Sequence, residues 1–433
     1  TEAARAINDD HFVTEALPAL AGLLKETRFG EEALIRRAIN ACLWTGTETS
    51  LQHLINYFMR EDAPVAMRAE AIDAASTWPR PSVLDRVSGR YRGEARRDSS
   101  LIQKQAAEAL LGLLGHRETS LRLHAVKALG KLGITQGNPS LWERLKADPS
   151  PEVRIAALEA LAALNYAEIG QAIAQALSDP ERDVRIAGLD LLPEMNLPAV
   201  EKVSLLSDVI ATKTSGEKQA ALLTLGTLPV ETSRDLFNGL LDQLAKGELP
   251  AEIRLELSEA IGSTGSTELR SKLDRIDAEL TPDTTLAGYA GLLFGGDSRK
   301  GRTILFSNQT AQCMRCHSID DYGANVAPSL NGVASRNTRE QLLESLIEPS
   351  ARIAPGYGFT TLELEGGRQL TGILQHETDG SLTLKLGGQP DTVIGKQHVV
   401  KRTDAPSSMP SMKGLLSKRE IRDLVSYLAT LKE

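Results

Sequence analysis

The chain has 433 residues, 41% of them hydrophobic and only 4% aromatic, and a formal charge of −8. That length exceeds one core, so two or three domains are expected, and scarce aromatics favour helices packed on helices over sandwiches or barrels. The acidic balance argues against nucleic acid and anionic membrane surfaces as main partners.

No apolar run is long enough to span a bilayer, and no signal peptide is visible. The first residue is Thr1, which reads as a chain processed or cut from something longer.

From the N-terminal side the first strong signal is repetition. Val153-Arg154-Ile155-Ala156-Ala157-Leu158 returns as Val184-Arg185-Ile186-Ala187-Gly188-Leu189. Related pairs stand at Ile35-Arg36, Met67-Arg68, Leu121-Arg122 and Ile253-Arg254, with degenerate copies at Gln105-Ala106 and Gln219-Ala220. Asp148-Pro149 and Asp179-Pro180 read as helix starts, an acceptor followed by Pro. Val153, Ala156, Ala157, Ala160, Leu161 and Leu164 then fall on one helical stripe. Short helices with one apolar side must stack on neighbours to bury it. Across most of residues 15–275 this pattern resembles the HEAT-repeat family, which implies an α-solenoid offering a long surface for docking protein. The recurrent Arg is expected to form an inter-repeat ladder of charge-assisted hydrogen bonds. Cys42, His11, His53, His116 and His124 show no ligand spacing and read as ordinary core or surface residues. The Arg-, Pro- and Gly-rich stretch between Trp78 and Ser100 breaks the repeat as an irregular loop.

The turn-forming run Leu280-Thr281-Pro282-Asp283 sets a boundary, giving a repeat domain at 1–280 and a second domain at 281–433. Gly295-Gly296-Asp297-Ser298 caps a helix from near Arg299. It leads to Cys313-Met314-Arg315-Cys316-His317, a C-x-x-C-H run. That run is the attachment signature of haem c: each thiol can bond a haem vinyl group, and the His lies under the iron as proximal ligand. A half zinc site would need further close ligands, and a thioredoxin-like motif would need a preceding strand. Neither pattern is present.

These residues resemble the small c-type cytochromes. The resemblance places Pro328 and Leu330, in Ala327-Pro328-Ser329-Leu330-Asn331-Gly332, against the proximal side. It implies that the loop backbone there accepts a hydrogen bond from His317. An amphipathic helix follows at Thr338–Ile347, then alternating segments punctuated by Gly366-Gly367, Asp379-Gly380 and Gly387-Gly388. They predict a small antiparallel sheet inserted at about 358–402. Ser408-Met409-Pro410-Ser411-Met412 precedes the last helix, Lys418 to Leu431. The resemblance implies Met409 as the sixth iron ligand, with Met412 the alternative, and a structural role for Tyr427 beside the haem edge. Bis-His ligation through His376 or His398 ranks behind these.

Arg352 to Tyr357 followed by a hairpin insert resembles the haem-binding domain type of planctomycetes and verrucomicrobia. In that group it often follows HEAT repeats, with a sugar-dehydrogenase-like propeller upstream. The fold class expected is therefore mainly α, a HEAT-like solenoid followed by a class I-like cytochrome c domain. The resemblance implies one covalent haem c, with iron held by His317 and Met409, electron transfer, and a periplasmic or exported protein. The partners implied are a sugar or alcohol dehydrogenase domain or subunit and a downstream electron acceptor. The chain holds no propeller and reads as an electron-transfer module rather than an enzyme. Two alternatives stand beside it: a haem enzyme with an open distal site for peroxide or gas, and a protein-interaction scaffold.

Overall fold

The computed structural model describes residues 2–10, 13–280, 286 and 288–433. His11 and the expected boundary turn at 281–283 lie outside them. The chain divides into two compact units, Thr1–Leu205 and Leu206–Glu433.

The first unit is helical. Its repeat pairs include Glu32–Thr45 with Glu48–Met59, Asn138–Ala147 with Pro151–Ala163, and Ile169–Leu177 with Arg182–Leu191. The stripe read from sequence is the buried one: Val153, Ala156, Ala157, Ala160, Leu161 and Leu164 are all buried. Cys42 is fully buried in the Glu32–Thr45 helix, and burial pushes its thiol well above the usual range.

The recurrent Arg does form a ladder, with a partner the sequence reading assigned differently. Asp148 does not cap the following helix; Ser150 does, accepting from the Val153 N–H. The Asp148 carboxylate instead takes both arms of Arg122 from the preceding repeat, at 2.9 Å each. Asp179 holds Arg154 in the same way at 2.8 Å, and Arg154 also reaches the Asp148 carbonyl at 2.7 Å. Burial alone would push the Asp148 carboxyl up, but the Arg122 and Ser150 hydrogen bonds outweigh it and hold it below its usual range. The rung changes towards the N-terminus. Arg68 donates to the Phe58 carbonyl, and Arg36 pairs with Glu32 and Glu70 nearer the surface.

In the second unit, helices Ser215–Leu225, Val230–Ala245, Arg254–Thr264 and Thr267–Leu280 carry the repeat pattern to its end. The C-terminal helices share a core with them: Leu255 belongs to the same buried cluster as Leu305, Leu343, Met412 and Leu424. Beside it Arg422 and Glu256 form a buried bidentate pair at 2.9 and 2.8 Å. Helix Ser298–Ser307, capped by Asp297, crosses the last helix, Lys418–Leu428, at Gly301. A Cβ on Gly301 would lie 2.0 Å from the Asp423 carbonyl oxygen, so only glycine permits this approach. Tyr427 packs at the same crossing.

The strands are β1 (Ser318–Ile319), β2 (Tyr322–Gly323), β3 (Phe359–Leu364), β4 (Gln369–Glu377), β5 (Ser381–Lys385), β6 (Thr392–Gly395) and β7 (Val399–Asp404). β1 and β2 form a minimal hairpin, and the rest form an antiparallel sheet in the order β6-β5-β4-β3-β7. Its small core is Leu362, Leu382, Leu384 and Ile394. His376 and His398 are exposed on it.

Candidate functional site

Cys313 to Arg315 form a single 3-10 turn, entered through Gln312 in the left-handed region. The turn closes with the Cys316 and His317 N–H groups donating to the Cys313 carbonyl, at 3.1 and 3.0 Å. Cys313 is partly buried against the helical core, Cys316 is exposed, and neither forms a disulfide. Burial pushes the Cys313 thiol above its usual range.

The loop after the motif folds back over it. Ala327 N–H donates to the Cys316 carbonyl at 2.8 Å, and Leu330 N–H donates to the Ser318 carbonyl at 2.8 Å. Arg336 braces the loop from outside through the Ser329 and Asn331 carbonyls. This arrangement brings the Pro328 carbonyl oxygen to 2.7 Å from His317 Nδ1. A carbonyl can only accept, so Nδ1 donates, and the tautomer this selects has Nε2 as its lone-pair nitrogen. Gly323 lies behind the motif at φ +100°, where a Cβ would sit 2.3 Å from the His317 carbonyl oxygen.

Met409 and Met412 differ in setting. Met412 is 2% exposed inside the core cluster, whereas Met409 is half-buried at its edge, its N–H bonded to Ser407 Oγ at 3.2 Å. Ser411 ties the same loop to the Ile347 carbonyl at 2.7 Å. Among the described residues no three His, Cys, Asp or Glu side chains gather as a bare-ion site.

A family described as HEAT repeats matches residues 57–162 and 138–226. Residues 57–226 are HEAT repeats. No curated protein matches the chain. Among solved structures, the complex of CpcE and CpcF of phycocyanin lyase from Nostoc sp. PCC7120 is similar at 16% identity, over 61% of this chain and 94% of that one, with a TM-score of 0.30. Human deoxyhypusine hydroxylase in complex with glycerol is 15% identical over 65% of this chain and 96% of that one, TM-score 0.28. An engineered protein is 15% identical over 71% and 91%, TM-score 0.35.

The HEAT repeats imply protein partners. The site beyond them holds features that sequence reasoning missed, chiefly the β1–β2 hairpin. It carries Tyr322 into a tilted ring contact with Phe306, centroids 5.7 Å apart, with Arg302 over the Phe306 ring at 4.8 Å. The Asp320-Asp321 pair was the available sequence signal for that turn, and both residues adopt the left-handed region. No helix among the described residues is long and apolar enough to cross a membrane.

Proposed function

We propose that the chain is a protein-docking scaffold of HEAT repeats whose C-terminal region carries one covalent haem c and transfers single electrons. The donor set fits that group. Two thiols lie on one turn, an imidazole is held through Nδ1 so that Nε2 is its lone-pair nitrogen, and a thioether sits in a half-buried loop. The observation that carries the reading is the 2.7 Å contact from His317 Nδ1 to the Pro328 carbonyl. It fixes ring rotation and tautomer, and it makes Nε2 a stronger donor to iron.

When bound, haem c supplies a reversible one-electron change at iron. Cys313 and Cys316 would each add a thiol S–H across a vinyl double bond, giving a thioether without oxidant. His317 and Met409 would hold the iron. Met412, committed to the core, would leave that ligand place to Met409. Leu330 and Tyr427 would contribute apolar surface to the core against which Cys313 packs. In this reading the partner is a dehydrogenase domain or subunit, as the family resemblance implies, and maturation takes place outside the cytoplasm. An optical redox titration of the matured protein tests it. The expected result is a single one-electron wave with a far-red ferric band typical of a thioether ligand. A high-spin spectrum with rapid peroxide turnover would replace the carrier with an open-site enzyme.

A further inference from the structure

Met409 stands in a proline-flanked run, Pro406-Ser407-Ser408-Met409-Pro410-Ser411. Each proline fixes its own φ and lacks an N–H, so the run is stiff but short of backbone donors with which to fasten itself. Serine hydroxyls supply the fastening. Ser350 Oγ accepts from the Ser407 N–H at 3.1 Å, and Ser407 Oγ accepts from the Met409 N–H at 3.2 Å. On the far side of Met409, Ser411 Oγ donates to the Ile347 carbonyl at 2.7 Å and accepts from the Lys413 N–H at 3.4 Å. Lys413 Nζ then lies 3.3 Å from the Glu348 carboxylate.

The anchor points Ile347, Glu348 and Ser350 lie together at the C-terminal end of helix Arg339–Ile347. That helix is firmly seated: Leu342, Leu343, Leu346 and Ile347 belong to the same buried cluster as Met412. The run reaches this helix end directly from the inserted sheet, where the Ala405 N–H donates to the Phe359 carbonyl at 2.9 Å and Thr360 Oγ1 to the Asp404 carboxylate at 2.7 Å. Ser350 and Ser407 are 57 residues apart in sequence and still bonded, so the sheet leaves the helical core and returns to it at one place. Met409 is held between clamps two residues before it and two residues after it. Its own side chain is only half-buried, at the edge of the core cluster, whereas Met412 is held by burial at 2% exposed. The Met409 thioether has little packing to fix it, so its position depends on the loop that bears it.

We propose that Ser350, Ser407 and Ser411 are positioning residues for the Met409 thioether. The inference rests on the haem reading above and deepens it. A neutral thioether competes for iron with any small free donor, and the fraction of time for which the loop presents it sets the apparent affinity of that competitor. The hydroxyls raise that fraction by tying both shoulders of Met409 to one buried helix.

The test is titration of the matured full-length chain with imidazole, a competing neutral donor, followed through the ferric far-red band. Ser407→Ala with Ser411→Ala should bind imidazole about tenfold more tightly than the native chain, and Ser350→Ala about threefold, since each lost hydrogen bond weakens the hold by a factor of a few. Both variants should keep the covalent haem mass and, at these exposed or half-buried positions, the native urea midpoint. Ser407→Thr with Ser411→Thr keeps the hydroxyls and should restore the native affinity. An unmoved imidazole affinity in the alanine variants, with a native far-red band that Met409→Ala removes, would overturn the role of the serines and leave the haem reading standing. Equal gains in the alanine and threonine variants would overturn it as well, since the hydroxyls would then hold nothing. Loss of haem from the alanine variants would do the same by assigning the serines to attachment. A native chain with no haem mass, no far-red band, or a band that only Met412→Ala removes would sink the haem reading and this inference together.

Discussion

The middle repeats and the 313–330 segment treat their polar groups in opposite ways. Between Arg122 and Asp179 every strong cation and anion of the ladder is consumed by a partner in the next repeat or its own turn. In the later segment backbone hydrogen bonds shape the loop, while reactive side-chain atoms are left over: the Cys316 thiol is exposed, and the hydrogen bond holding His317 runs through Nδ1. Polar chemistry that closes on itself fixes a fold, and polar chemistry left open at a rigid place is where a ligand binds. Substitutions in the first region should therefore cost stability, and those in the second should cost the cofactor.

The sharpest break of that contrast is Asp148→Ala. It leaves the Arg122 guanidinium buried without its carboxylate and should destabilise the first unit by about 3–5 kcal/mol, read by urea unfolding. Replacing both partners with apolar residues, Arg122→Met with Asp148→Leu, should recover most of the loss. The same pair sets an acid limit. The Asp148 carboxyl lies below its ordinary value of 3.8, so its contribution is complete above that value and fades as pH falls through the lowered folded value. Thermal melts down a pH series should show this for the native chain and a flatter slope for the double variant.

Met412→Ala comes next. Its side chain fills the core of the second unit, and removal should lower stability by about 2–5 kcal/mol in chemical denaturation. Ser150→Ala removes the helix cap beside Asp148 and should cost about 1 kcal/mol in the same assay. Smallest in stability is Met409→Ala, at about 0.5 kcal/mol for a half-buried edge position. Its effect belongs to the other column: the far-red ferric band should vanish while covalent haem is retained. Were Met412→Ala to remove that band and Met409→Ala to keep it, the two methionines would exchange roles.

Much of this was legible in the sequence. The Val-Arg-Ile-Ala period marked the buried stripe, and the glycine-bearing pairs marked three of the sheet's turns, those between β3 and β4, β4 and β5, and β5 and β6. The Asp of each Asp-Pro was readable as a helix-start acceptor, but its partner lies 26 residues earlier, from Asp148 back to Arg122. Local propensity cannot see that distance; only the stacking of repeats brings the two together. The Gly301 crossing and the Arg422–Glu256 pair were hidden for the same reason, since each joins elements more than 100 residues apart. The motif itself was plain because its chemistry is local: two thiols and an imidazole within five residues. The segment at 83–92 was read as irregular loop because it closes on a single bridged pair, Leu84 with Tyr91, and its anchors, Asn8 and Asn40, are remote.

The central claim is tested most directly by the intact mass of the chain produced with a c-type haem maturation system and then denatured. The account predicts the polypeptide mass plus one haem, lost when Cys313 and Cys316 are both replaced by Ser. A denatured chain at the polypeptide mass alone, from cells that mature other c-type cytochromes normally, would contradict it.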